Sequence, residues 1–303
     1  MEDPDKNNDA ILITGPTASG KSALALQFAR RHDGVVINAD SMQVYDTLRV
    51  VTARPGEAEM GGVPHELYGH VPAGQTYSTG DWLREAGALL ARLKHEKRLP
   101  VFVGGTGLYF KALTGGLSEM PVIPAGLRSE IRDRLEAEGA EALHEELAEL
   151  DPGVAQRLNP ADGQRIVRAL EVFRATGRSI AEFQKQSGPQ LVDPERACKL
   201  VVLPDRTVLH DRINRRFQQM MDEGAIEEVE ALLSLGLKPE MPAMKAIGVA
   251  QIADMLAGRI SRHEAVERAS AATRQYAKRQ MTWFRNQMDE SWERVDPAVF
   301  RID

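Results

Sequence analysis

The run Gly15-Pro16-Thr17-Ala18-Ser19-Gly20-Lys21-Ser22 matches G-x-x-x-x-G-K-[ST] in full, a pattern whose residue types suit it to hold a di- or triphosphate. Its glycines let backbone N–H groups wrap phosphate oxygens at a helix N-terminus, where the helix dipole favours anions. Lys21 adds a point charge, and the Ser22 hydroxyl can ligate Mg²⁺. The flanks agree, with the apolar run Ala10 to Thr14 before the loop and the helical pattern of Ser22 to Arg31 after it. A phosphate loop does not name a reaction, because ATPases, GTPases and small-molecule kinases all use one.

Two further loops carry chemistry. Asp40-Ser41-Met42-Gln43-Val44-Tyr45 follows the β-branched run Val35 to Ala39, so it leaves the carboxyl edge of a sheet, where open α/β sheets bind ligands. Asp40 is the candidate base, able to accept a proton from a substrate hydroxyl or from an amine; its structural alternative is a cap on the following turn. The third loop, Gly104-Gly105-Thr106-Gly107-Leu108-Tyr109, follows Pro100 to Val103, and there backbone can approach a ligand closely while Thr106 offers a hydroxyl. Neither Pro100 to Val103 nor Lys199 to Leu203 ends in an aspartate, which counts against a hydrolytic motor.

These loops need a parallel sheet to hold them. Ala10 to Thr14, Val35 to Ala39, Pro100 to Val103 and Lys199 to Leu203 read as buried strands alternating with helical patterns at Ser22 to Arg31 and Asp81 to Arg98. That alternation is the α/β signature. From 121 to 194 the sequence turns rich in Glu, Arg and Ala without a strand candidate, then the strand pattern resumes. The expected organisation is therefore an α/β core over 10–120 and 195–303, a helical insertion over 121–194, and a disordered tail over 1–9.

Composition narrows the class. A chain of 303 residues with 43% hydrophobic content can bury a core, and its single cysteine, Cys198, excludes a disulfide framework and any multi-cysteine zinc site. No apolar run approaches the roughly 20 residues of a membrane span, and Met1 to Asp9 is acidic rather than signal-like, so a cytoplasmic protein that avoids membranes is expected. Without a heptad or an apolar stripe, a monomer is expected. The net charge of −6 argues weakly against nucleic acid, yet Arg262 to Arg285 gathers Arg262, Arg268, Arg274, Lys278, Arg279 and Arg285 against Glu264 and Glu267. Taken alone, that stretch reads equally as a solvated helix face.

Together these loops resemble the tRNA dimethylallyltransferase (tRNA isopentenyltransferase) family, bacterial type without a zinc finger. The resemblance extends through Gln164-Arg165-Ile166-Val167-Arg168-Ala169-Leu170-Glu171-Val172, Arg212-Ile213-Asn214-Arg215-Arg216 and the run from Thr273 to Arg285. It implies a P-loop NTPase-like parallel sheet core interrupted by a helical insertion domain. It also implies transfer of a dimethylallyl group from dimethylallyl diphosphate, with Mg²⁺ on Ser22, to the N6 amine of the adenine 3′-adjacent to the anticodon of tRNA. By that resemblance Gly15 to Ser22 hold the diphosphate, and Arg216 and Arg212 would contact it from the far side. Asp40 and Thr106 are catalytic, and Asp40, Ser41, Met42, Gln43, Thr106, Arg128, Gln164, Arg165, Ile166, Val167 and Arg168 lie along the tRNA.

The chain departs from the family pattern at Glu66, after Pro64-His65, where a second histidine is common, and at Val249, where an aromatic residue is usual. The chemistry accounts for the residue types. An adenine amine is a weak nucleophile, so cations must take up charge on the departing diphosphate while a base removes the proton. Arg165 and Arg168, one helical turn apart, could grip RNA or pair with Glu171. A prenyltransferase acting on free adenine nucleotides, a small-molecule kinase and a nucleotide-dependent RNA-binding module without chemistry stand as alternatives.

Overall fold

The computed structural model describes residues 8–300, and the first seven residues of the expected tail lie outside them. Asp9, at the tail's end, is tied down: its N–H donates to the Arg196 carbonyl at 2.7 Å and its carboxylate pairs with the Arg196 guanidinium at 2.8 Å.

The chain divides into two compact units, Met1–Thr114 with Leu191–Asp303, and Gly115–Gln190. In the first, β1 (Ala10–Thr14), α1 (Lys21–Arg31), β2 (Val35–Asn38), the single turn α2 (Glu57–Met60), β3 (His65–Glu66), α3 (Thr79–Glu96), β4 (Pro100–Gly104) and α4 (Gly107–Gly115) come first. The second has helices and no strand among its described residues: α5 (Ala125–Leu150), α6 (Pro152–Ala155), α7 (Gly163–Thr176) and α8 (Ile180–Gln184). The chain then returns to the first unit with β5 (Ala197–Val202), α9 (Arg206–Asp222), α10 (Ala225–Ser234), α11 (Val249–Leu256), α12 (Arg262–Gln287) and β6 (Glu293–Val295).

All six strands pair in parallel in the order β3-β2-β4-β1-β5-β6, giving the P-loop NTPase-like α/β fold expected. The central strands are buried on both faces, which is why they read as unbroken apolar runs. On one face Leu12, Ile37 and Phe102 pack against Trp82, Ala86, Leu89 and Leu93 of α3 and Phe284 of α12. On the other, Ile11, Ile13, Val36 and Val103 pack against Leu24, Ala25 and Phe28 of α1. Each fully buried Leu, Ile, Val or Phe side chain contributes about 1.5–3 kcal/mol relative to exposure. A third cluster joins Val44, Tyr45, Leu48 and Val71 to Phe217, Val229 and Ile252 of the C-terminal helices.

In the second unit α5 packs on α7, with Ile131, Leu143 and Leu147 meeting Ile166, Leu170 and Val172. Gly139, at φ 85° and ψ 168°, interrupts α5 and splits it into two helical segments.

Candidate active site

The carboxyl ends of β1, β2 and β4 bring the three loops read from the sequence to one edge of the sheet. The hydroxyl of Thr14, the last residue of β1, donates to the Gly104 carbonyl at 3.0 Å, locking the exits of neighbouring strands together. Gly20 sits at φ 94°, in the left-handed region that costs glycine little, and turns the chain into α1. α1 spans 11 residues and has no side-chain cap, so its first N–H groups remain for a ligand. Ser19 Oγ is buried with no hydrogen-bond partner among the described residues, an orphaned polar atom inside the cradle.

A cavity of about 920 Å³ opens from this cradle, lined by Thr17, Ala18, Ser19, Gly20, Lys21 and Ser22 together with Asp40, Gln43 and Arg216. Burial pulls the Lys21 ammonium down to about 8, with the charge of Asp40 opposing that fall and that of Arg216 adding to it. Its Nζ donates to the Pro16 carbonyl at 3.2 Å. Burial lowers the Arg216 guanidinium as well, while Glu59 and Asp40 favour its charge. The cavity thus holds desolvated cations beside one another, a charge pattern that an anionic ligand relieves.

Asp40 both caps a turn and lines the cavity. Its Oδ1 accepts from the Met42 N–H at 3.0 Å, and its own N–H donates to Asn38 Oδ1 at 2.8 Å. The cap takes up one carboxylate oxygen, while the group still faces the cavity. Three phenols sense its charge: burial first, and then Asp40, raise the Tyr68, Tyr109 and Tyr276 hydroxyls above the ordinary phenol range, so all three stay protonated. Tyr109 stacks on Trp82 with ring centroids 4.3 Å apart, and Trp82 Nε1 donates to the Asn38 carbonyl at 2.8 Å, buttressing the end of β2.

Thr106 holds the Asp40 loop. Its N–H donates to the Ala39 carbonyl at 3.2 Å, its Oγ1 accepts from the Ser41 N–H at 3.0 Å, and the same hydroxyl donates to Ser41 Oγ at 3.3 Å. Gln43 ties in the next segment, its amide donating to the Thr52 and Ala53 carbonyls at 2.9 and 3.1 Å. Arg212 donates to the Ser19 carbonyl at 3.4 Å and so braces the phosphate loop from α9. Gly15 and Pro16 are buried behind the cradle, and Ser41 and Met42 are half-buried in the loop after Asp40.

The remaining expected contacts belong to the second unit. Gln164, Arg165 and Arg128 are exposed and Arg168 is half-buried, whereas Ile166 and Val167 are sealed in that unit's core. Glu171 is buried and pairs with both Arg168, at 3.2 Å, and Arg128, at 3.8 Å, so the pairing of Arg168 with Glu171 weighed in the sequence is present. Arg165 pairs instead with Asp162 at 3.4 Å.

Sequence reasoning passed over several cavity residues: Arg49, Arg54, His65, Tyr68 and Arg215. His65 Nδ1 lies 2.8 Å from the Val63 carbonyl, and burial pulls the imidazole below its usual value. Glu66, one of the two departures from the family pattern, pairs with Arg92. The other, Val249, is buried at the head of α11.

The IPP transferase family model matches residues 43–287, and the model described as Isopentenyl transferase matches residues 8–68. The chain belongs to the IPP transferase family. It is 69% identical over 301 residues to the tRNA dimethylallyltransferase of Allorhizobium ampelinum, covering 99% of each chain. To the enzyme of the same name from Agrobacterium fabrum it is 69% identical over 297 residues, 98% of this chain and 100% of that one. Among solved structures, the tRNA isopentenylpyrophosphate transferase of Bacillus halodurans superposes with a TM-score of 0.67 at 34% identity, over 97% of this chain and 92% of the other. A eukaryotic dimethylallyltransferase described as acting on tRNA gives a TM-score of 0.80 at 27% identity, over 95% of this chain and 73% of that one.

Proposed function

We propose that the chain transfers the dimethylallyl group of dimethylallyl diphosphate to N6 of the adenine 3′-adjacent to the anticodon of tRNA, releasing diphosphate. The observation that carries the reading is one cavity lined at once by the phosphate cradle and by the Asp40 carboxylate. A leaving group and a proton acceptor are the two things alkylation of an adenine amine requires.

Lys21, Arg216 and the free N–H groups of α1 take the negative charge that grows on the departing diphosphate, in a setting already stripped of much water. Asp40 accepts the amine proton. Mg²⁺ fits the cradle's donor set, since this ion keeps several waters and leans on one or two protein groups plus substrate phosphate oxygens; the exposed Ser22 hydroxyl at the head of α1 is such a group. When bound, the ion supplies further positive charge to the diphosphate oxygens. The target adenine has to leave its stack to reach the cavity. The helical unit Gly115–Gln190 is assigned to the tRNA, with Arg128, Gln164, Arg165 and Arg168 as its contacts. The activity is placed in the cytoplasm, where a chain with one cysteine needs no disulfide.

The test is incubation of the protein with unmodified tRNA and radiolabelled dimethylallyl diphosphate, followed by nuclease digestion. Label in an N6-alkylated adenosine from the anticodon loop supports the reading. Label entering only free adenine nucleotides, or no label in RNA, refutes it.

A further inference from the structure

We propose that Gln280 of α12 is a positioning residue that sets the separation between the diphosphate cradle and the acceptor loops, an inference that rests on the function proposed above. Gln280 is polar yet 6% exposed, and it lies in the buried stripe of α12 between Ala277 and Phe284. A buried amide in an apolar register is costly unless both of its ends are paired. Here both are paired, and each goes to a different loop. Its Oε1 accepts the Thr17 N–H of the phosphate loop at 3.0 Å, and its Nε2 donates to the Gly105 carbonyl at 2.9 Å.

Those two loops carry the two halves of the reaction. Thr17 lies within the cradle that receives the leaving group. Gly105 precedes Thr106, whose N–H and hydroxyl hold Ala39 and Ser41 on either side of Asp40. One side chain therefore spans from the leaving-group side to the loops that fix the base. The same contact leaves no room for a side chain at Gly105: a Cβ there would lie 2.3 Å from Gln280 Nε2 and 3.4 Å from Asp40 Oδ2. The Thr17 N–H is used by Gln280, so the residue acts on the cradle's placement rather than as a phosphate ligand.

The test compares wild type with Gln280→Met, which keeps length and loses both hydrogen bonds. Three quantities are measured: affinity for inorganic diphosphate, affinity for tRNA, and the single-turnover rate of transfer with both substrates saturating. Displacement of reacting groups by about 1 Å costs on the order of 100-fold in rate. The expected result is diphosphate and tRNA affinities within about threefold of wild type and a single-turnover rate reduced at least about tenfold. Gly105→Ala, which forces the Gln280 amide aside, is expected to show the same split, and it carries the test if Gln280→Met does not fold. A variant with a lower melting temperature and an unchanged single-turnover rate overturns the inference, because Gln280 would then serve stability alone. Loss of diphosphate affinity in parallel with rate also overturns it, because Gln280 would then belong to the binding site. Failure of the wild type to label tRNA at all would instead overturn the proposed function.

Discussion

Lys21 should make the ligand-free protein less stable than it could be. Its ammonium falls from 10.5 to about 8 in the folded chain, chiefly by burial, which corresponds to about 3 kcal/mol of penalty on the charged form. Replacing it by methionine removes that penalty and also the bond from Nζ to the Pro16 carbonyl, worth about 1 kcal/mol. The net expectation at pH 7 is a gain of about 2 kcal/mol, or about 4 °C in melting temperature for a chain of this size. The pH dependence distinguishes this cause from better packing. The unfolded chain keeps the lysine proton up to 10.5, while the folded chain gives it up near 8, so between those values wild-type stability rises with pH. Below about 8 the penalty is complete, and the gap between Lys21→Met and wild type is widest there; it should shrink as the pH approaches 10. The assay is thermal unfolding of both proteins without ligand at pH 7 and at pH 9.5, with inorganic diphosphate then added at pH 7. Diphosphate should raise the wild-type midpoint and leave the variant's unmoved. A variant no more stable than wild type at pH 7, or a gain that does not change with pH, would refute the reasoning.

Three further outcomes are expected. Asp40→Asn keeps the shape that accepts the Met42 N–H but loses the base, so single-turnover transfer should fall at least about 100-fold while tRNA affinity holds, and a near-normal rate would reduce Asp40 to a cap. Gly107→Ala places a Cβ 2.1 Å from the Trp283 ring, an overpacking that should cost about 1–3 kcal/mol by denaturant unfolding; an unchanged unfolding midpoint would mean the ring gives way freely. Lys278 and Arg279 are exposed on α12 with no ion pair among the described residues, so Lys278→Gln with Arg279→Gln should weaken tRNA binding and flatten its salt dependence by about one unit of slope per lost phosphate contact. Filter binding across a salt series that shows an unaltered slope would return that surface to the solvated face it resembled at first.

The central sheet was legible because a strand buried on both faces leaves an apolar run, as in β1, β2 and β4, and β5 kept enough of one at Leu200 to Val202 despite half-buried Cys198 and Lys199; all four fall within a residue or two of the runs that announced them. The edge strands were not. β3 is two half-buried residues, His65 and Glu66, and β6 is Glu293, Arg294 and Val295, too short and too polar to show a period. Their pairing comes from neighbours far along the chain, Val36 with His65 and Leu200 with Glu293, which no local window contains. Gly139 was equally silent: a glycine inside a helical pattern lowers propensity without saying whether the chain breaks there.

At the site the division follows the same line between local and distant causes. The phosphate loop is a contiguous device whose glycines, lysine and flanking strand and helix act on one another within about a dozen residues, so its letters suffice. Asp40 could be placed at the sheet edge because strand geometry alone carries it there, but that it both caps a turn and lines the cavity needed the Met42 N–H and the cavity side by side. Tyr276 and Trp283 share α12 yet differ: Trp283 packs beside the core and over Gly107, whereas the Tyr276 phenol is raised by burial and by the charge of Asp40, some 236 positions earlier in the chain. Gln280 did leave a trace, a polar letter in the register of Ala277 and Phe284. What that letter meant depended on two loops, 263 and 175 residues away, meeting at one amide. Helical periodicity says that a residue faces inward; only the packed fold says what it faces.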